Sequence, residues 1–101
     1  MKTYTMCGSM KFAEEMKKIA KSLEIENGYK ILQCVYVDDI NKLTKEEVKK
    51  LQEEHYRKID ISDGIYVVNI NGYIGESVRK EIEYAGKANK EILYYYNIEV
   101  K

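Results

Sequence analysis

Along this chain, short runs compatible with strands alternate with longer runs in which apolar residues recur every three or four positions. Lys2 to Cys7 is a strand-like run (Tyr4, Thr5, Met6, Cys7) that Gly8-Ser9 breaks. From Met10 onward, Phe12, Met16, Ile19, Ala20 and Leu23 take helical spacing with lysines and glutamates between them. This pattern predicts a helix over roughly 10–26, with Asn27-Gly28 as its stop. Tyr29 to Val37, rich in β-branched and aromatic residues, reads as the second strand and ends at Asp38-Asp39. Thr44 with Glu47 three residues later is a capping box. It opens a second helix with the inward stripe Val48, Leu51, His55 and Ile59. Gly64 to Ile70 is the third strand, and a third helix runs from about Gly75 to Ala88 with Val78, Ile82 and Ala85 inward. Glu91 to Tyr96 is the last strand.

Strict alternation of strand and helix, without a tandem hairpin signal or an internal repeat, implies a mostly parallel sheet with right-handed crossovers and helices on both faces. The most economical strand order is 2-1-3-4. That is a short flavodoxin-like (Rossmann-like) three-layer sandwich whose switch point lies between the first and third strands. Ligands in such sheets bind beyond the carboxyl ends of the strands at the switch point, so Cys7, Gly8, Ser9 and Met10 are expected opposite the stretch Asn69 to Ser77. No linker composition interrupts the chain, and one domain over 1–101 is expected.

Composition narrows the function classes. With 101 residues, 45% hydrophobic and 34% charged, the chain has the makeup of a globular domain. Its 17 basic and 17 acidic residues cancel, which argues against nucleic acid or an anionic membrane as the main partner. No apolar run approaches the roughly 18 residues of a membrane span, and no signal-peptide pattern opens the chain. Cys7 and Cys34 are expected to stay reduced, in a cytoplasmic setting. One histidine and two distant cysteines lack the spacing of a zinc motif, and neither GxxxxGK[ST], GxGxxG after the first strand nor GxSxG occurs. No metal or cofactor is therefore expected. Among 10 tyrosines, Tyr94, Tyr95 and Tyr96 are consecutive. An apolar ring with a polar tip suits a subunit interface, a pocket wall or an ordinary edge strand.

Candidate chemistry concentrates between Asp60 and Ala85. Glu81 lies at the edge of the inward stripe, three residues after Val78 and four before Ala85. Glu76 has Lys80 four residues on and Glu83 has Lys87, so both have the spacing of solvated pairs; Glu81 has no such cation. A carboxylate there could act as nucleophile or general base, and the position also suits a half-exposed helix glutamate. Gly72, Tyr73, Gly75 and Ser77 form a glycine-rich helix start that could hold a phosphate or a ribose, and Gly8-Ser9 repeats the arrangement. Glycine turns of this kind also arise for purely steric reasons. His55 on the inward stripe is a candidate proton donor or a buried hydrogen-bonded histidine. Of Asp60 and Asp63, one suits a loop cap and the other could orient a substrate group.

The first strand ending in Cys7-Gly8-Ser9, followed by KIDISDGIYVVN and then GYIGESVRKEIEYA, resembles the nucleoside 2-deoxyribosyltransferase-like superfamily, which includes 2-deoxynucleoside 5-monophosphate N-glycosidases. The resemblance covers nearly the whole chain and is nearest the group's small bacterial and phage members. It implies a flavodoxin-like, usually oligomeric protein that cleaves or transfers at the N-glycosidic bond of a deoxynucleoside or its monophosphate. It places the family's nucleophilic glutamate on Glu81, followed by Tyr84 and Ala85, with a glycosyl-enzyme ester as intermediate. The glycine loops resemble those that hold the sugar and, in the monophosphate members, the phosphate. Together with the placement at the crevice, Cys7, Gly8, Ser9, Asp63, Asn69, Gly72, Tyr73, Gly75 and Ser77 are expected to bind substrate. Two departures stand out. The family has an aspartate eight residues before the acid that leads into the third strand, and here His55 stands there. The chain is also shorter than the characterised enzymes, so a neighbouring subunit of a homodimer or higher homo-oligomer would complete the pocket. The expected partner is a nucleoside or nucleotide, and a non-catalytic binding module of the same fold is the alternative.

Overall fold

A computed structural model describes residues 1–96. Its four strands are β1 (Thr3–Gly8), β2 (Lys30–Leu32), β3 (Gly64–Val68) and β4 (Glu91–Tyr94), and its α-helices are α1 (Ala13–Ser22), α2 (Lys45–Asp60) and α3 (Glu76–Lys87). The strands form one sheet in the order β2-β1-β3-β4, and every pairing is parallel. This is the flavodoxin-like order expected from the alternation of elements.

Side chains alternate along β1 and β3, and that alternation builds the layers. Tyr4 and Met6 join Met16 and Ala20 of α1, together with Ile31 and Val68, in one buried cluster. Cys7, Ile65 and Val67 join Ile59 of α2 with Val78 and Ala85 of α3 in the other. α1 thus covers one face of the sheet, and α2 and α3 cover the other.

Local chemistry explains the helix boundaries. The Thr44 hydroxyl accepts from Glu47 N at 3.0 Å and the Glu47 carboxylate accepts from Thr44 N at 2.9 Å, completing the capping box. The first helical region is less uniform than its periodicity suggests. A 3-10 turn (Met10–Phe12) leads into α1, and α1 widens into a π-helical segment (Leu23–Asn27). It stops where Gly28 takes a left-handed φ of 70°, a conformation that glycine reaches without steric cost.

Three strands are shorter than their propensities suggest. β2 pairs with β1 only from Lys30 to Leu32 instead of running to Val37. The Gln33 carbonyl accepts from Lys58 Nζ at 2.7 Å, so α2 captures the chain directly after the last paired residue. β3 ends at Val68 and turns into a 3-10 segment (Ile70–Gly72) instead of continuing to Ile70. β4 ends at Tyr94, and Tyr95 and Tyr96 form a bend. The expected single domain over 1–101 includes residues 97–101, which lie outside the described residues.

Gly64 opens β3 where β4 begins, so close that a Cβ would strike the backbone carbonyl of Glu91. Gly64→Ala must separate β3 from β4, and we expect a loss of about 1–3 kcal/mol, as for other overpacked sites, measured by urea unfolding.

Candidate functional site

The carboxyl ends of β1 and β3 open into a cavity of about 610 Å³, lined in part by Gly8, Ser9, His55, Tyr73, Gly75 and Glu81. Each wall has a different origin. Ser9 directly follows β1 and caps the next turn by accepting from Lys11 N at 3.3 Å. Gly75 is the N-cap of α3 and offers no side-chain cap, so the first turn of that helix, with Glu76 and Ser77, faces the cavity. The opposite wall is apolar, built from Val35, Val37 and Ile40 of the segment after β2 and from Val48 and Leu51 of α2. Exposure to this space explains why Val48 and Leu51 are only half-buried although they lie on the inward stripe.

Three side chains from three elements meet at the edge of the cavity. Cys7 Sγ of β1 lies 3.5 Å from His55 Nε2 of α2, and the same nitrogen lies 3.5 Å from Glu81 Oε1 of α3. All three donor atoms are within 4.8 Å of one another. The His55 and Glu81 side chains are only 11% and 14% exposed. His55 Nδ1, on the other side of the ring, is buried without a hydrogen-bond partner among the described residues.

The two helices are held at a fixed spacing beside this cluster. Tyr56 and Tyr84 pack edge to face with centroids 4.8 Å apart, and Tyr84 donates to Asp60 at 2.5 Å. Residues adjacent or close in sequence to His55 and Glu81 thereby lock α2 against α3. Across the cavity mouth, Phe12 and Tyr73 pack edge to face at 5.9 Å, and Lys11 Nζ sits 3.4 Å from the Tyr73 ring centroid. These contacts tie the loop after β1 to the loop after β3.

The electrostatics favour a neutral thiol. Burial pushes the Cys7 thiol well above its ordinary range, and the Glu81 carboxylate pushes it further the same way. Burial likewise raises Cys34, which lines the cavity. Tyr56 is raised by burial first and by the charge of Glu81 second. Cys7 is therefore unsuited to serve as a free nucleophile, because the thiolate is the reactive form.

Of the residues expected at the site, Gly8, Ser9, His55, Tyr73, Gly75, Ser77 and Glu81 line the cavity, and Cys7 lies just behind His55. Asp63, Asn69 and Gly72 do not line it. Asp63 precedes β3 at the opposite, amino edge of the sheet, where its carboxylate accepts from Thr3 N at 2.8 Å. Asn69 is buried and spends its amide on Tyr96, accepting from the backbone N–H and donating to the carbonyl, both at 2.8 Å. Gly72 carries a left-handed φ of 80° and shapes the turn behind Tyr73. Sequence reasoning missed the apolar wall, because Val35 and Val37 have the composition of a strand. It also missed the approach of Cys7 to His55, which is separated by 48 positions.

Comparison of the chain with family models, with curated proteins and with solved structures returned no match.

The raised Cys7 thiol has a consequence for stability. A thiol titrating higher when folded than when unfolded contributes stability that is intact below the ordinary value near 9.0 and is lost as pH rises beyond it. We expect the unfolding free energy to decline above that pH, with a slope approaching about 1.4 kcal/mol per pH unit for one such group. Denaturant titrations of Cys7→Ala across the same range should show a shallower decline.

Proposed function

We propose that the protein cleaves or transfers at the N-glycosidic bond of a (deoxy)nucleoside or its 5′-monophosphate, with Glu81 as the nucleophile. The observation that carries this reading is the position of Glu81. A largely buried carboxylate reaches the floor of a nucleoside-sized cavity at the switch point of a parallel sheet, with His55 Nε2 beside it. The resemblance noted from the sequence implies a nucleophile at the same residue.

In this reading the apolar wall of Val35, Val48 and Leu51 receives the base, while Gly75 and Ser77 at the start of α3 face the sugar or its phosphate. The Glu81 carboxylate attacks the anomeric carbon, the C–N bond breaks, and the base leaves with a proton from water in the crevice. Water then hydrolyses the glycosyl ester, or a second base takes over the sugar. His55 was a candidate for protonating the leaving base, but its position suits another task. At 3.5 Å from Glu81 it is closer than the ~5–5.5 Å by which a retaining pair of groups straddles its bond. We therefore assign His55 to orienting the Glu81 carboxylate.

A second reading, a nucleoside-binding module without turnover, is favoured by one observation. The apolar wall and the glycine-bounded wall form a binding surface that does not depend on Glu81 at all.

Proton NMR of the protein with a panel of deoxynucleosides and their monophosphates separates the two. We expect the anomeric signal to fall as free base appears, with Glu81→Gln reduced to the uncatalysed rate. His55→Ala should lower kcat by about 10²-fold, within the range for a single proton-handling or orienting side chain, with little change in KM. Line broadening of unchanged substrates would leave the binding module as the surviving reading.

A further inference from the structure

The cluster of Cys7, His55 and Glu81 has a second property that does not depend on glycosyl chemistry. Cys7 Sγ and Glu81 Oε1 each lie 3.5 Å from the same nitrogen, His55 Nε2, and all three atoms fall within 4.8 Å of one another. In a tetrahedral zinc site with bonds of about 2.3 Å to sulfur and about 2.0–2.1 Å to nitrogen and oxygen, neighbouring ligand atoms are separated by about 3.3–3.6 Å. Two edges of the triangle already have that length, and the third, within 4.8 Å, has to shorten around a bound ion. We propose that Cys7, His55 and Glu81 form a binding site for a borderline-soft divalent cation of the zinc class, with its fourth position open to the cavity.

The donor set defines the class of ion. A thiolate and an imidazole suit zinc or cobalt, whereas magnesium and calcium take oxygen ligands. The arrangement also defines the type of site. Three protein ligands from β1, α2 and α3, two of which line a cavity, match an open site with an exchangeable water and not a closed four-ligand structural one. The locking of α2 against α3 by Tyr56, Tyr84 and Asp60 holds two of the ligands in place before any ion arrives. On binding, the Cys7 sulfur gives up its proton to solvent, Nε2 becomes the ligating nitrogen, and Nδ1 keeps the ring proton. The ion then neutralises the thiolate so formed together with the Glu81 carboxylate.

Occupancy has a consequence for the neighbouring chemistry. A carboxylate oxygen bound to zinc is no longer free to attack a sugar, so the cation is an inhibitor of the activity proposed above. That consequence rests on the glycosyl reading, whereas the site itself does not.

Cobalt(II) titration of the full chain tests the site without any substrate. We expect one cobalt per chain, a sulfur-to-cobalt charge-transfer band in the near ultraviolet and tetrahedral visible bands. Cys34→Ser leaves Cys7 as the sole thiol and should keep the charge-transfer band, with circular dichroism confirming that the fold is kept. Glu81→Gln and His55→Ala should each weaken binding at least about tenfold, with circular dichroism confirming the fold. The proposal is overturned if no charge-transfer band forms, if the band disappears in Cys34→Ser, or if Glu81→Gln binds as tightly as the unchanged chain. Where turnover is observed, stoichiometric zinc should suppress it and a chelator should restore it. Absence of turnover would count against the glycosyl reading, while the cobalt spectrum would still decide the site.

Discussion

β1 is paired with β3 along its length, with β2 over its first half, and covered on both faces, and almost every other feature follows from that confinement. Its backbone pairs with β3 from Tyr4 to Gly8 and with β2 from Thr3 to Thr5, so its first half is held on both edges and its last residues by β3. Its side chains then have only two destinations. Tyr4 and Met6 must meet the helix on one face, and Thr5 and Cys7 must meet the pair on the other. The strand ends at Gly8, beyond which the chain turns away into the next helix. The crevice exists because β1 and β3, neighbours in the sheet, send their following helices to opposite faces.

That confinement also places the chemistry. Cys7 is the last inward residue of β1 on the face shared by α2 and α3, and those helices bring His55 and Glu81 to it. Only groups on that face converge, and α1 contributes nothing to the cluster. The thiol is kept neutral by the same burial that makes it a core residue. Packing and reactivity are set here by one environment.

Much of the architecture was legible from local rules. The Thr44–Glu47 capping box, the Gly28 stop and the alternation of strand and helix are signals in which each residue reports on near neighbours, and the strand order follows from them. The second strand misled because Ile31, Val35 and Val37 have the same β propensity whether paired or not. What ends β2 is the Lys58 ammonium on the Gln33 carbonyl, 25 positions away. Asp63 misled for a related reason. An acid before a strand reads as a site residue, but the residue before a parallel strand lies at the amino edge, and Asp63 binds the Thr3 backbone there. The metal-like cluster escaped because spacing rules recognise ligands that are close in sequence. Cys7, His55 and Glu81 are brought together by the sheet and two helices, and no spacing between them carries information.

Three consecutive tyrosines present β4 with a problem of identity. A slip by one residue exchanges Tyr94 for Tyr95 or Tyr95 for Tyr96, so the tyrosines alone do not distinguish the two registers, and Glu91, Ile92 and Leu93 must. Tyr95 N donates to Val67 O at 2.8 Å, and the Asn69 amide then takes both main-chain groups of Tyr96, imitating one more residue of a neighbouring strand. Asn69 thus works as a counting device, a side chain that reads the backbone where the sequence repeats. Its two bonds hold Tyr96 where the chain leaves the sheet.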